Sequence, residues 1–365
     1  MEYLNKLYAE IGNERLSLLT AWELVRTLSP FTVPAVAHRH KKQSLQELCL
    51  DAVRNAMEVP LLSWYLFPEV TSASVGMALN MATHIKATTL ELIRRSPWLD
   101  GATKNAALHK LYAMTLHVGY PRYFNSTRAI DRTYRQYPDI AGSFFKPWLE
   151  AMNMTITWIT TNHSSIRYSL VHTNAAFWHM RNMIVVPATI LRNPMFSRTA
   201  PPAYNYGGLG HVMTHEMMHG FDRSGSRWDA HGEFRNWWSP DTRIKYEERI
   251  SCLRRSHNAS NANEDTENTA DFAGLVSAYN AFLELVDKEQ LKQYAELNYG
   301  AEQLFFIAAC VKYCSQSKNQ SFSGYASWQN RCNVPIRNLD AFGEAFNCPV
   351  GSYMRPKPAD RCAFW

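Results

Sequence analysis

The run Thr214-His215-Glu216-Met217-Met218-His219 constrains this chain more than any other feature of its sequence. On a helix, His215 and His219 are four residues apart and share one face. Two neutral imidazoles in that arrangement can ligate one zinc ion, and Glu216 beside them can act as a general base on water. With 13 histidines in 365 residues, the pattern is expected by chance only roughly 0.03 times. The run therefore indicates a zinc site on a helix.

A catalytic zinc needs a third protein ligand and an open position. His211 lies on the same helical stripe, but a straight helix does not easily converge three successive turns on one ion. Glu267, on a second predicted helix that runs to about Val286, is the better candidate. Asp271 follows Glu267 by one turn and can accept the second N–H of a ligand histidine, which fixes its tautomer.

The rest of the chain shows mainly helical patterns, with one clear strand. Apolar residues recur at helical spacing in three Pro-free segments, residues 16–28, 75–93 and 102–114. Pro30 and Pro34 are expected to end the first helix, and Ser44 is a candidate cap for a further one. Residues 182–190 contain a β-type run that Pro187 stops. A polar, arginine-rich stretch near residues 123–140 suggests a boundary between two domains, a number that the length also favours.

The chain resembles the neprilysin family of zinc metallopeptidases, also called the endothelin-converting-enzyme family. The runs that carry the resemblance include Asn174-Ala175, Val186-Pro187-Ala188, Asn205-Tyr206-Gly207-Gly208, His215 to Asp222, Glu267-Asn268 with Ala270-Asp271, and the closing Cys362-Ala363-Phe364-Trp365. It spans nearly the whole chain, but only about the C-terminal half of a typical family ectodomain. It implies a mainly α fold with a small β-sheet, an α+β class. Residues 141–365 would form a thermolysin-like catalytic domain, and residues 1–140 a helical remnant of the lobe that caps the active site.

The resemblance also implies a role for individual site residues. His215, His219 and Glu267 would bind one Zn²⁺ per chain, Glu216 would be the base, and Asp271 would orient a ligand. Residues that would hold the substrate are Asn174 and Ala175 on its backbone, Arg331 on a carbonyl, and Ile190, Met195, His211, Val212, Lys312 and Tyr313 in the first pocket after the scissile bond.

Three positions depart from the family pattern. Tyr325 stands where the family has a histidine that stabilises the transition state, and the loop between Cys314 and Arg331 looks short. Tyrosine can donate one hydrogen bond but stays neutral near pH 7. His211 and Lys312 stand where the family usually has apolar residues, so we expect a wetter and more positive pocket.

The seven cysteines divide into three groups by resemblance. Cys252 and Cys362 match a family disulfide within this half. Cys49, Cys314 and Cys348 match cysteines whose partners lie in a missing N-terminal half. The remaining two, Cys310 and Cys332, have no counterpart, and the sequence leaves their pairing open.

The leading functional interpretation is a zinc-dependent metalloendopeptidase that hydrolyses short peptides through a zinc-activated water and Glu216. The alternative is a catalytically impaired homologue that acts as a peptide-binding or interaction protein, which Tyr325 and the missing half favour. A third interpretation is an incomplete gene model.

Composition and short motifs indicate which binding partners and which cellular compartment to expect for this chain. A net charge of +6 is spread along the chain and predicts no nucleic-acid surface. No apolar run reaches the ~18 residues of a membrane span, and the first residues do not resemble a signal peptide. Five Asn-x-Ser/Thr sequons nevertheless favour an extracellular or cell-surface protein; they are at Asn125, Asn153, Asn162, Asn258 and Asn319. A fragment or truncated form would reconcile these signals.

Overall fold

The computed structural model describes residues 2–33, 36, 44–121, 124, 126–140, 142–161, 170, 172–258, 264–285, 299–315 and 324–365. Its helices are, in chain order, α1 (Glu2–Thr32), α2 (Leu45–Glu69), α3 (Ser72–Arg95), α4 (Gly101–Ala113), α5 (Thr127–Tyr134), α6 (Phe145–Thr161), α7 (Pro202–Asn205), α8 (His211–His219), α9 (Pro240–His257), α10 (Asp265–Leu285), α11 (Ala301–Val311), α12 (Trp328–Arg337) and α13 (Asp340–Ala345). The strands are β1 (Thr115–Gly119), β2 (Ala176–Trp178) and β3 (Met183–Pro187). The predicted class, mainly α with a small sheet, is confirmed.

The local predictions mostly match these elements. The predicted helical segments 16–28, 75–93 and 102–114 coincide with α1, α3 and α4, and the predicted strand run contains β3 and ends at Pro187. Pro30 lies inside the last turn of α1, because a proline there removes only one backbone hydrogen bond. The helix ends at Thr32, between the two prolines predicted to end it, of which Pro34 lies outside the described residues. Ser44 caps α2: its Oγ accepts from the Glu47 N–H at 3.2 Å, and its own N–H donates to the Glu47 carboxylate at 2.7 Å.

The chain forms two compact units, Met1–Trp64 with Ser126–Arg167, and Tyr65–Asn125 with Tyr168–Trp365. This division does not coincide with the predicted boundary at residue 140, since residues 65–125 belong to the same unit as the C-terminal part of the chain. The interpretation of residues 1–140 as the remnant of a capping lobe stays a prediction. In the first unit, the buried Trp148 of α6 donates from Nε1 to the carbonyl of Ala52 in α2 at 3.0 Å.

The second unit contains a three-stranded sheet in the order β1-β3-β2. The central strand β3 pairs parallel with β1 and antiparallel with β2, with Val185 opposite His117 on one side and Ala176 on the other. All five residues of β3 are buried, as expected for a strand covered on both faces. Because β2 pairs with one neighbour among the described strands, its other edge remains available to a further strand.

A close packing of α8 against α10 builds the centre of the second unit. Gly274 of α10 permits it, because a Cβ there would lie 2.9 Å from the backbone nitrogen of His215. Gly207, in a π-helical turn just before α8, lies equally tightly against α11, where a Cβ would come within 2.1 Å of the Phe305 carbonyl oxygen. These contacts bring Glu267 and Asp271, at the start of α10, next to the histidines of α8.

Two disulfides lie in the second unit. The predicted pair Cys252–Cys362 is confirmed, with a Cα–Cα distance of 5.7 Å. The two cysteines without a family counterpart, Cys310 and Cys332, pair with each other and join α11 to α12.

The other three cysteines, Cys49, Cys314 and Cys348, form no disulfide within the described part of the chain. That their partners lie in a further segment stays a prediction. Among the described helices, none combines the length and the apolar character that crossing a membrane requires.

Candidate metal centre

The three side chains predicted to bind zinc converge between α8 and α10. The Nε2 atoms of His215 and His219 are 3.0 Å apart. The two carboxylate oxygens of Glu267 lie 3.3 Å from Nε2 of His215 and 3.7 Å from Nε2 of His219. In a tetrahedral zinc site with bonds of about 2.0–2.1 Å, ligand atoms are separated by about 3.3 Å. The three residues predicted as ligands therefore have the donor types and the spacing that a zinc ion requires.

Each histidine is oriented by a buried aspartate. Nδ1 of His215 lies 2.8 Å from Oδ1 of Asp271, and Nδ1 of His219 donates to Oδ2 of Asp222 at 2.7 Å. Both aspartates are 0% exposed. These contacts fix the tautomer, so that the Nε2 lone pairs face the metal position. The sequence analysis missed Asp222, although a carboxylate three residues after His219 on the same helical face was a readable signal.

Asp271 is the centre of a charged network behind the ligands. Arg331 donates to it twice, from Nε at 2.7 Å and from Nη2 at 2.9 Å, and Tyr313 donates its hydroxyl at 2.8 Å. Arg331 also reaches Glu267, with Nη2 3.4 Å from Oε2. Burial works to raise the pKa of Asp271, but Arg331 and His215 hold it well below its usual range. Asp271 therefore stays ionised, with its Oδ1 2.8 Å from Nδ1 of His215.

The carboxylates also determine the protonation of the metal-free histidines. Burial opposes the charged imidazolium, yet the hydrogen bond to Asp222 and the nearby carboxylates raise the pKa of His219 to about 9. The pKa of His215 is raised as well, because Asp271 and Glu267 outweigh its burial. Zinc requires neutral imidazoles, so metal binding at this site must displace protons.

A cavity of about 880 Å³ opens onto these ligands. It is large enough for a peptide segment. The predicted site residues that line it are Asn174, Ala175, Ile190, Met195, Val212, His215, Glu216, His219, Glu267, Lys312, Tyr313, Tyr325 and Arg331. Glu216 lies close to the ligands, with a carboxylate oxygen within 4.8 Å of both ring nitrogens.

His211 does not belong to this wall, and its assignment to the substrate pocket is corrected. Its ring is 1% exposed, and its Nε2 donates to the backbone carbonyl of Asp271 at 2.9 Å. This hydrogen bond holds the ring of His211 against α10, away from the cavity that His215 and His219 line. His211 instead ties α8 to α10. Asp271 also lies behind the cavity wall, as its predicted orienting role requires.

Tyr325 occupies the cavity beside Arg331. The guanidinium carbon lies 4.7 Å from the ring centroid of Tyr325 and 5.1 Å from that of Tyr313, so the cation is held between two aromatic faces. Partial burial and the carboxylates of Glu267 and Glu216 raise the pKa of Tyr325. Its hydroxyl is therefore neutral at ordinary pH and can donate a hydrogen bond.

A buried lysine supports the segment that follows α8. Lys110 of α4 is 1% exposed. Its Nζ donates to the carbonyls of Gly220 at 2.6 Å, Gly225 at 2.8 Å and Trp228 at 2.6 Å. Asp222 lies within the segment so held. No sequence pattern pointed to Lys110, because its partners are backbone carbonyls more than a hundred residues away.

The orienting role of Asp222 gives a direct prediction. We expect Asp222→Asn to lower zinc affinity by about 10- to 100-fold, as for other residues that orient a metal-bound histidine. Asp222→Ala is expected to lower it further, since the alanine cannot accept from Nδ1. Competition with a chromophoric chelator measures the dissociation constant. The control is Asp241→Asn, an exposed acid on α9, and an Asp222→Asn affinity equal to that control contradicts the assignment.

The fold and the ligand arrangement together define a class, the zinc metallopeptidases with paired histidines on one helix and a glutamate on the next. The chain belongs to peptidase family M13, whose sequence models match residues 1–121 and 174–362. This family includes neprilysin and the endothelin-converting enzymes.

Individual relatives agree with that membership. Endothelin-converting enzyme 1 of Rattus norvegicus is 26% identical over 401 residues, covering 100% of this chain and 52% of the relative. Neprilysin-1 of Caenorhabditis elegans is 26% identical over 358 residues, covering 90% of this chain and 47% of the relative. The solved Mycobacterium tuberculosis zinc metalloprotease Zmp1 in its open state shares the fold, with a TM-score of 0.75 at 22% identity, covering 100% of this chain and 61% of that one. The chain thus spans about half the length of the curated relatives that it matches.

Proposed function

We propose that this chain is the catalytic part of a zinc-dependent endopeptidase that hydrolyses short peptides. The observation that carries the proposal is the convergence of His215, His219 and Glu267, with Glu216 beside them, on a cavity wide enough for a peptide. Zinc, when bound there, supplies a Lewis acid that polarises a carbonyl and lowers the pKa of a water. One zinc per chain is expected.

The proton transfers are assigned to Glu216. Its carboxylate faces the cavity next to the ligands and does not orient either histidine, since Asp271 and Asp222 do so. It can accept a proton from the attacking water and pass it to the leaving amine. Both transfers require a group that touches the reacting atoms. Among the carboxylates that line the cavity, Glu216 is assigned this role, because Asp222 and Glu267 already contact the histidines.

Substrate positioning is assigned to the segment that leads into β2. Asn174 and Ala175 line the cavity immediately before this edge strand, and Ala176 and Phe177 of the strand line it too. A peptide can add to the open edge through main-chain hydrogen bonds. Asn174 can then bind the peptide backbone, which holds the scissile carbonyl near the metal site.

Stabilisation of the developing oxyanion is assigned to Arg331 and Tyr325. Both line the cavity, and the two side chains contact each other. Arg331 is already engaged by Asp271 and Glu267, so its position is fixed before substrate arrives. A fixed donor contributes more in the transition state than one that must reorganise.

The alternative, a zinc-binding homologue with little turnover, is favoured by one observation. The neutral Tyr325 occupies the wall where a charged donor would stabilise the oxyanion better. Losing one oxyanion donor typically costs about 100- to 1000-fold in rate. Incubating the zinc-loaded chain with quenched fluorescent peptides, with and without chelator, separates the two functions. Chelator-sensitive cleavage restored by added zinc supports the peptidase, whereas tight peptide binding without cleavage supports the alternative.

The hydroxyl of Tyr325 is expected to contribute to whatever turnover exists. Tyr325→Phe should lower kcat by about 100-fold, the lower end of the range for losing one oxyanion donor, because it removes that donor but keeps the ring against Arg331. Peptide affinity should change little, since the contact forms mainly in the transition state. An unchanged kcat in the variant would show that Tyr325 serves only to pack against Arg331.

We also propose an extracytoplasmic location. Two disulfides lie within the second unit, and such bonds persist in oxidising compartments. Of the predicted sequons, Asn153 and Asn258 are exposed and accessible to glycosylation. The other three, at Asn125, Asn162 and Asn319, lie outside the described residues.

A further inference from the structure

One cation in the cavity wall lacks an acidic partner. Lys312 follows α11 directly and lines the cavity. In the described part of the chain, no carboxylate oxygen lies within 4 Å of its Nζ. The ammonium instead lies over the ring of Tyr313, 5.1 Å from the centroid. An ammonium held in a cavity without a counter-charge favours a ligand that supplies one.

The other charged groups of the cavity are already occupied. Arg331, the second cation that lines it, is paired with Asp271 and Glu267. Glu267 faces the metal position, and Asp222 is bound to His219. Once zinc takes its ligands, the described cavity has no spare acid to neutralise Lys312, apart from Glu216, which the proposed chemistry uses.

The surroundings of Lys312 strengthen an interaction with an anion. The cavity that Lys312 lines also contains apolar side chains, those of Ile190, Met195, Val212 and Val311. Removal from water lowers the pKa of Lys312 to about 7, although Asp271 and Glu216 oppose the shift. A carboxylate bound at the ammonium would favour its charged form, and the low dielectric of such a wall increases the attraction.

A disulfide anchors the backbone segment that carries Lys312. Cys310 lies two residues before it, and its disulfide partner Cys332 lies one residue after Arg331. The two cavity cations are thus held on segments that one disulfide joins. A backbone held in this way has less conformational entropy to lose when a side chain on it binds an anion.

We propose that Lys312 is a specificity-determining residue that binds a carboxylate of the peptide beside the scissile bond. This inference rests on the proposed peptidase function. Lys312 is assigned to the neighbourhood of the scissile bond because it lines the same cavity as Glu216 and the two histidines. The carboxylate belongs either to an Asp or Glu side chain or to the C-terminus of a short peptide.

The test compares matched peptides on the zinc-loaded chain. One pair differs only by Glu or Gln at the residue on either side of the scissile bond, and a second pair differs only by a free or an amidated C-terminus. We expect the carboxylate-bearing member of one pair to have a kcat/KM about 10- to 100-fold higher, the range typical of a hydrogen bond between charged groups. Lys312→Met and Lys312→Gln should both remove this preference. Lys357→Met, at an exposed lysine outside the cavity, should keep it.

The design separates this inference from the proposed function. Affinities of the zinc-loaded Glu216→Gln variant for the same peptides report the preference without turnover. A retained preference in binding, with no peptide cleaved by the unmodified chain, contradicts the peptidase function but supports the role of Lys312. Cleavage with equal efficiency in both pairs overturns the role of Lys312 and leaves the peptidase function intact. The pair that shows the preference identifies the side chain or the C-terminus as the source.

Discussion

Glu216→Gln is expected to lower peptide turnover by about 100- to 10 000-fold, the contribution typical of a general acid–base residue, while zinc stays near one per chain. Glutamine keeps the shape of the side chain but cannot take a proton from water. Loss of the Glu216 carboxylate should therefore lower kcat much more than it lowers peptide affinity. Stopped-time assays with a quenched peptide and metal analysis on the same preparation measure both quantities.

Glu267→Ala is the matched partner of that variant, because both glutamates lie near the two histidines. A carboxylate oxygen of Glu216 is within 4.8 Å of both ring nitrogens, and those of Glu267 lie at 3.3 and 3.7 Å from them. If Glu267 is the third ligand, its alanine variant should lose both zinc and turnover. Stoichiometric zinc in Glu267→Ala, together with zinc loss in Glu216→Gln, would reverse the two roles. Zinc retained in both variants would exclude each glutamate as an essential ligand.

The sequence was most informative where one element contains the whole signal. His215, Glu216 and His219 share one helix, so their spacing alone predicts a common metal face. Residues 16–28 and 75–93 were readable as helices for the same reason. The sequence suggested Glu267 as a third ligand, from its place on a second helix and from the family resemblance. It could not show that α10 reaches α8, because the packing contact at Gly274 is one that no local pattern encodes.

The misjudged residue His211 shows the limit of helical periodicity. All residues from His211 to Met218 are buried, so α8 has no solvent-facing stripe to mark its orientation. Periodicity then places His211 on the same side as His215 without telling whether its ring faces the cavity or α10. Lys110 was missed for a related reason. Its partners are three backbone carbonyls of a distant segment, and every residue type has such a carbonyl, so the sequence does not mark them.

Removing the Cys252–Cys362 disulfide is expected to lower the free energy of unfolding by about 4–5 kcal/mol. The two residues are 110 apart in the chain. In the chain-entropy model, a cross-link over so long a loop removes many conformations from the unfolded state. The double variant Cys252→Ala with Cys362→Ala avoids a free thiol, and urea unfolding at constant m-value gives the change.

The native C-terminal segment should stay in place in that variant, which makes the measurement interpretable. Phe364 packs edge-on against Trp98, whose Nε1 donates to the Phe364 carbonyl at 2.6 Å, and Asn338 accepts from the Cys362 N–H at 2.7 Å. These contacts hold the C-terminal segment in the folded chain without the covalent link. The decrease in the free energy of unfolding should therefore arise mainly from the larger conformational entropy of the unfolded chain.

The second disulfide supplies the matched control for this prediction. Cys310 and Cys332 are only 22 residues apart, for which the same relation gives about 3–3.5 kcal/mol. The variant without Cys252 and Cys362 should therefore be less stable than the variant without Cys310 and Cys332 by about 1–1.5 kcal/mol. Equal losses, or a loss below about 1 kcal/mol for the longer loop, would show that native-state packing rather than loop entropy determines what this disulfide contributes. The longer loop contains α10, with Glu267 and Asp271, so a destabilised variant should also lose zinc at lower urea concentrations than the unmodified chain.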